Sequence, residues 1–223
     1  MQYLHQVRAL LLYVKSSCQI PSLHAHGRNV IGVIDSTHIR IHPPGASKAP
    51  TYYNGNKQFF SILHIAIVNN AGKFRWFASG APGSSTDSGV FQTCTSFYRD
   101  IVGERNQPVG ERKLIANEGC ILGGSGFAET PWMRTLVAAP KTREGRYFNC
   151  KHSNLRFRAE HVFGRLKSKF QALQNGLLFD LDHAPVIINA CTILHHPIQF
   201  SRCMKGRTPV SYTHLTLPTI CSV

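Results

Sequence analysis

The segment NVIGVIDSTHIRIH, residues 29–42, limits the folds open to this chain more than any other stretch. Its apolar run continues through Ile34, and alternation sets in afterwards at Thr37, Ile39 and Ile41. A strand that is apolar on both sides is covered on both faces, which is typical of the centre of an α/β sheet. The pattern therefore predicts a mixed α/β sheet with helices packed on its faces.

Two further segments predict strands that pair with each other. Residues 59–70 and 73–82 are apolar and rich in β-branched and aromatic residues, and the turn Asn-Asn-Ala-Gly separates them. Such a turn between two strand-like runs favours a β-hairpin. Residues 113–124 predict one or two short strands, and we expect this later strand to lie beside the strand at 29–42.

Helical periodicity appears in four places. Residues 1–17 predict an amphipathic helix, and the segment GSSTDSGVFQTCTSFYRDIV predicts another with Ser and Thr as N-caps. A final helix at 184–196 is apolar nearly all round, so we expect it to be buried. A long amphipathic helix is marked by Leu155, Ala159, Val162, Phe163, Leu166, Phe170 and Leu173.

These elements predict one main domain at residues 29–200. Residues 1–28 are interpreted as an N-terminal helix and linker, a truncated helical region, with a loop at 18–28. A second loop is predicted at 43–58. Residues 201–223 are interpreted as a C-terminal tail, of which 210–223 resembles translated sequencing-adapter sequence.

The composition points to a globular protein with a polyanionic partner. Apolar residues make up 43% of the 223 residues, and no run of 18 apolar residues predicts a membrane span. The seven cysteines follow no metal-site or disulfide spacing, which favours reduced thiols. The net charge of +14, from 25 basic and 11 acidic residues, indicates nucleic acid as the partner.

The few acids are placed where structure alone does not demand them. Asp35 lies inside the apolar strand, where an ionised carboxylate is costly unless it is paired or bound to a cation. Asp87 follows a turn at a helix start, and Glu160 lies beside the apolar stripe of the long helix. Each has a structural alternative, since Asp35 could lie at a solvent edge, Asp87 could serve the helix N-terminus, and Glu160 could pair with Arg156 or Arg158.

Clustered carboxylates are ligands for Mg²⁺ or Mn²⁺. Two such ions can activate water and stabilise the leaving oxygen of a phosphodiester. Nine basic residues and only two acids lie between 141 and 170. The candidate DNA contacts there are Arg156, Arg158, Arg165, Lys167 and Lys169.

Four segments together resemble the Harbinger transposase-derived nucleases of the DDE superfamily of endonucleases. They are NVIGVIDSTHIRI, GSSTDSGVF, SGFAETPW and RFRAEHVFGRLKSKF, and the resemblance spans about residues 29–200. It implies a ribonuclease-H-like fold and divalent-metal-dependent cutting and joining of DNA. It also implies that Asp35 and Glu160 are catalytic metal ligands, and that Asp87, which matches a further acidic position of the family, is a third candidate catalytic residue and metal ligand.

One position departs from the family pattern. The second catalytic acid is expected in a Gly-Asp-Ser-Gly motif, but this chain reads Gly123-Gly124-Ser125-Gly126. The 35 residues between Gly124 and Glu160 fit the spacing that the resemblance implies. Gly124 therefore stands where an acid is expected, and if only that ligand is missing, a Gly124→Asp variant should gain metal affinity.

Several alternatives stay open at this point. Asn117 or Glu118 could be the true counterpart of the second acid, or Asp87 could supply the missing ligand. The chain could be an active nuclease, a DNA-binding or protein-interaction module that has lost catalysis, or a truncated transposon remnant without function. We expect a location in the nucleus, and also in the cytoplasm, with DNA and a separate DNA-binding protein as partners and no membrane partner.

Overall fold

The central sheet is mixed, as the sequence predicts. The computed structural model describes the backbone of residues 8–11, 24–25, 28–94 and 119–204, and the side chains of 30–94 and 119–195. Its strands are β1 (Arg8–Leu11), β2 (His24–Ala25), β3 (Arg28–Arg40), β4 (Tyr53–Asn54), β5 (Phe59–Val68), β6 (Phe74–Pro82), β7 (Gly119–Leu122) and β8 (Met133–Arg134). Its helices are α1 (Ala49–Tyr52), α2 (Asp87–Thr93), α3 (Arg143–Lys169), α4 (Gln171–Asn175) and α5 (Ala184–Met204).

The strand order is β1-β6-β5-β3-β7-β8, with β2 pairing with β3 and β4 pairing with β5. The β5–β6 hairpin is antiparallel, as predicted, and β5 is antiparallel to β3. On its other side β3 pairs in parallel with β7, and β7 in parallel with β8. This mixed α/β arrangement is consistent with the ribonuclease-H-like fold that the resemblance implies.

Each face of the sheet carries its own apolar core. On one face, Val33, Ile39 and Ile62 pack with α3, α4 and α5, as the apolar stripe of α3 predicts. On the other face, Ile34, Leu63 and Trp76 pack with α2 and with Phe127 and Met133. β3 therefore lies at the centre of the molecule and is covered on both sides, which explains its long apolar run.

Five predictions need correction. The loop predicted at 18–28 contains β2 and the first residue of β3. The long helix predicted to reach Leu173 ends at Lys169, and Leu173 lies in α4. The helix predicted at 1–17 is wrong over Arg8–Leu11, which form a strand beside β6, because that pairing satisfies backbone groups that β6 would otherwise leave open. The loop predicted at 43–58 contains α1 and β4. The last helix continues to Met204, and it is not buried all round, because Val186 and Leu194 are exposed on the side away from the sheet.

The helix predicted after Ser85 begins at Asp87 with Thr86 as its N-cap, and its predicted continuation beyond Cys94 lies outside the described residues. The predicted strand at 113–124 is described only from Gly119 onward. Within the part of the chain that the structure describes, every helix is too short or too polar to span a lipid bilayer.

Candidate active site

Asp35 is a buried acid at the centre of the sheet. Alternation along β3 turns Asp35 to the same face as Ile39, which is the face that α3 covers. Its side chain is only 8% exposed. Burial raises the pKa of Asp35 to about 6, against the lowering effects of the Ser36 backbone and Arg156, and with smaller raising effects from Glu160 and Asp87. An acid with this pKa in a core strand indicates a functional role.

Glu160 reaches the same region from α3. This helix begins after Thr142, whose hydroxyl accepts a hydrogen bond from the backbone N–H of Gly145 at 3.1 Å. Ala159 and Phe163 are buried against the sheet, which fixes the helix and leaves the Glu160 side chain 56% exposed at its edge. The charge of Glu160 raises the pKa of Asp35, so the strand acid and the helix acid lie close enough to interact electrostatically.

Asp87 lies on the opposite side of β3. Ser36 faces α2, and its hydroxyl donates a 2.6 Å hydrogen bond to Oδ1 of Asp87. Asp87 is the first residue of α2 while Thr86 is the N-cap, so the helix start alone does not account for its contact with β3. Its charge also raises the pKa of Asp35. The structure therefore places Asp87 near Asp35, but on the side of the strand away from α3.

Gly124 lies level with Asp35. The parallel register pairs Val33 with Leu122, so Gly123 and Gly124 continue alongside Ile34 and Asp35. His152 of α3 holds this turn, because its Nε2 donates to the carbonyl oxygen of Gly123 at 3.0 Å. The turn after β7 is thus the place where a third carboxylate would face Asp35, and Gly124 presents no side chain there. Asn117 and Glu118, the alternative counterparts, lie outside the described residues.

The guanidinium of Arg156 occupies the space beside Gly124. A Cβ atom built on Gly124 would lie 3.1 Å from both Cζ and Nη1 of Arg156. Nε of Arg156 lies 3.9 Å from Oε1 of Glu160, one helical turn further along α3. The sequence left open whether Glu160 pairs with Arg156. The structure contains this ion pair at a long distance, and the charge of Arg156 also acts on Asp35.

The structure divides the predicted DNA contacts between two sides of α3. Arg156 and Lys167 lie on the side of the acids, and Nζ of Lys167 donates to the carbonyl oxygen of His38 on β3 at 3.0 Å. Arg158 instead donates to Oδ1 of Asn70 at 2.9 Å, beyond the end of β5. Arg165 and Lys169 also lie away from the acids, Arg165 beside Gly72 and Lys169 against the carbonyl oxygen of His195.

A basic cleft adjoins the acids. It has a volume of about 600 Å³, and its walls include His38, Arg40 and Lys167. The Arg40 guanidinium lies 4.5 Å from the centre of the Phe59 ring, which forms part of the same wall. None of the described residues that line the cleft is acidic. Such a surface fits the negatively charged backbone of a nucleic acid.

The donors present do not form a complete three-carboxylate site. Among the described residues, no group of three or more His, Cys, Asp or Glu side chains is arranged to hold a metal ion. Asp35 and Glu160 are hard oxygen donors in one region, which fits a single divalent cation. The third place is taken by Gly124 with the guanidinium beside it, which does not fit a second ion.

Sequence reasoning missed two residues at this site, His152 and Arg40, and only His152 carries a sequence signal. His152, Arg156 and Glu160 are spaced four residues apart, which places them on one face of a helix and predicts that they act together. Arg40 lies in the same strand as Asp35, and only the fold of the chain around Asn175 shows that it lines a cleft.

Comparison with known proteins agrees with this geometry. The family described as DDE superfamily endonuclease matches residues 34–196. The chain belongs to the DDE superfamily of endonucleases. It is also 26% identical over 170 residues to a Bos taurus protein named "Putative nuclease HARBI1", covering 75% of this chain and 45% of that protein. The chain thus spans about half the length of the curated relative it matches.

The resemblance to Harbinger transposase-derived nucleases is therefore confirmed at the level of the family. No solved structure gives a significant match. Endonucleases of this superfamily generally use divalent metals, and a nuclease domain of this type would act on DNA. The match begins at Ile34 and so includes both Asp35 and Glu160.

Proposed function

We propose that this domain is a divalent-metal-dependent DNA endonuclease that acts in the nucleus, with Asp35 and Glu160 as its central carboxylates. The observation that carries the proposal is their convergence, from β3 and α3, at the turn after β7 and beside a basic cleft. A buried strand acid whose pKa is raised to about 6 is costly for folding, and binding a cation would offset that cost.

Asp35 and Glu160 would hold one Mg²⁺ or Mn²⁺ ion through carboxylate oxygens. When bound, such an ion supplies an activated water and stabilises the charge that develops on the leaving oxygen. Asp87 supports the site from the α2 side, since its hydrogen bond to Ser36 fixes the residue that follows Asp35. His152 supports it from α3 by holding the carbonyl oxygen of Gly123.

The DNA backbone would lie along the cleft of His38, Arg40 and Lys167. These residues continue from the acids along β3 and α3, so a phosphodiester held there would approach Asp35 and Glu160. Arg158, Arg165 and Lys169 lie on the other side of α3 and would not contact the same phosphates. Recognition of a particular target sequence would come from a separate DNA-binding protein, because phosphate contacts carry no sequence information.

A second candidate function is a DNA-binding module without cleavage. The observation that favours it is the pair of Gly124 and Arg156, which puts a positive charge where a metal ligand is expected. Loss of a ligand weakens the stabilisation of the transition state, and each loss of about 1.4 kcal/mol lowers the rate tenfold. Both candidates predict DNA binding on the acid-bearing face, and they differ in cleavage.

A nicking assay on supercoiled plasmid in Mn²⁺, with EDTA as the blank, distinguishes the nuclease from the DNA-binding module. The matched variants are Glu160→Gln and Glu129→Gln, because both carboxylates are 56% exposed and each is near an arginine. The nuclease proposal expects Glu160→Gln to lower the rate at least about 100-fold, about 3 kcal/mol of transition-state stabilisation, with Glu129→Gln unchanged. Wild-type protein that binds the plasmid but leaves it uncut supports the second candidate.

A further inference from the structure

Arg156 is the cation nearest to the missing carboxylate. Its guanidinium lies against Gly124, near both Asp35 and Glu160. We propose that this guanidinium is the resident cation of the acidic site, and that it competes with a divalent metal ion for Asp35 and Glu160. The inference rests on the proposed function only in treating these two carboxylates as metal ligands.

The space at Gly124 is shaped for the guanidinium. A Cβ atom there would lie 3.1 Å from Cζ and Nη1, and 3.4 Å from Nη2, so three atoms of the planar group face the glycine. Gly126, two residues later, has open space around its Cα. Any side chain at position 124 would press on the end of Arg156, which would have to shift by a few tenths of an ångström. Gly124 and Arg156 therefore form a matched pair, in which one residue provides the space that the other fills.

The guanidinium is held loosely enough to be displaced. Nε of Arg156 is buried and has no hydrogen-bond partner among the described residues, and it lies 3.9 Å from Oε1 of Glu160. That distance is too long for a hydrogen bond, so the attraction between the two groups is one of charge alone. A divalent ion carries twice the charge of the guanidinium, and its arrival would require Arg156 to swing away from the acids.

The pairing changes what a restored acid would do. In a Gly124→Asp variant the new carboxylate would lie against the guanidinium and could form a bidentate ion pair with it. This pair would consume the ligand that the substitution was meant to restore. We therefore expect Gly124→Asp by itself to change Mn²⁺ affinity by less than about threefold, and to need the removal of Arg156 before it gains its effect.

Titration calorimetry with MnCl₂ on the folded chain tests the inference without any cleavage assay. Arg156→Gln should tighten Mn²⁺ binding at least about tenfold, because it removes a unit charge close to the ion. Arg158→Gln is the matched control on the same helix, since Arg158 contacts Asn70 instead of the acids, and it should leave the affinity unchanged. Arg156→Met, which keeps the aliphatic stem, gives the same comparison if the glutamine variant folds poorly.

The double variant Gly124→Asp/Arg156→Gln, compared with the two single variants and wild type, forms a double-mutant cycle. Its gain in Mn²⁺ affinity should exceed the product of the gains of the two single variants. An Arg156→Gln variant with the affinity of Arg158→Gln overturns the inference, as does a Gly124→Asp variant that already reaches the affinity of the double variant. Tighter Mn²⁺ binding by Arg156→Gln without plasmid cleavage supports this inference while contradicting the nuclease proposal. Failure of the nuclease proposal can therefore be told apart from failure of this inference.

Discussion

Replacing Asp35 with Asn should stabilise the folded protein at alkaline pH. Asparagine has nearly the same shape as aspartate and carries no charge, so the substitution removes the cost of burying a carboxylate while keeping an oxygen acceptor. The pKa of Asp35 is raised from 3.8 to about 6, mainly by burial. A shift of about two units corresponds to about 3 kcal/mol of folding free energy.

Proton linkage decides whether the stability contributed by Asp35 rises or falls with pH. Between pH 3.8 and 6 the folded state holds the proton on Asp35 more tightly than the unfolded state does. The contribution of Asp35 to stability is therefore greatest below pH 3.8 and is lost as the pH rises through 6. Relative to wild type, Asp35→Asn should gain about 3 kcal/mol at pH 8, or about 6–12 °C in melting temperature, and almost nothing at pH 4.

Urea unfolding followed by circular dichroism at pH 4, 6 and 8, without divalent ions, measures this gain. Asp182→Asn is the control, because Asp182 is exposed near the start of α5 and its substitution should leave stability unchanged. An Asp35→Asn variant that is less stable than wild type at pH 8 would refute the reasoning. It would show that the carboxylate is already compensated in the folded protein.

Three further substitutions test the fold around the site. Burial lowers the pKa of His64 to about 3, so between pH 7 and 5 this histidine gains a proton only in the unfolded chain. The free energy of unfolding of wild type should therefore fall by about 2 kcal/mol over that range because of His64. Urea unfolding of His64→Asn should show a flatter pH dependence. Gly32→Ala should destabilise the protein by about 1–3 kcal/mol, because its Cβ would lie 2.8 Å from Cγ2 of Ile67, and thermal melting measures the loss. Thr142→Ala should cost about 1 kcal/mol in the same melting assay, because it removes the N-cap of α3.

The core strands and the long helix could be predicted because their patterns are local. The apolar run through Ile34 predicts a strand buried on both faces, the stripe from Ala159 to Leu166 predicts one buried helix face, and the structure confirms both. The segment around Arg8–Leu11 could not be predicted in the same way. Its strand depends on an open edge at β6, which is a property of the assembled sheet and not of the segment itself.

The site was predictable in its parts but not in its arrangement. The cost of an acid in an apolar strand singles out Asp35 from sequence alone, and the structure confirms its burial. The position of Asp87 across β3 depends on the Ser36 contact, which joins residues 51 positions apart. Likewise, the five candidate basic residues look equivalent in sequence, and only the packing of α3 on the sheet separates Arg156 and Lys167 from Arg158.

The central claim is that DNA lies in the basic cleft further along β3 and α3 from Asp35 and Glu160, and the salt dependence of duplex binding tests it most directly. Arg40→Gln and Arg158→Gln each remove one exposed arginine, from the basic cleft and from the opposite side of α3 respectively. The account predicts that Arg40→Gln weakens binding and lowers the slope of log K against log salt by about 0.9, and that Arg158→Gln changes neither. The reverse result would place the DNA on the far side of α3, away from the carboxylates, and would contradict the account.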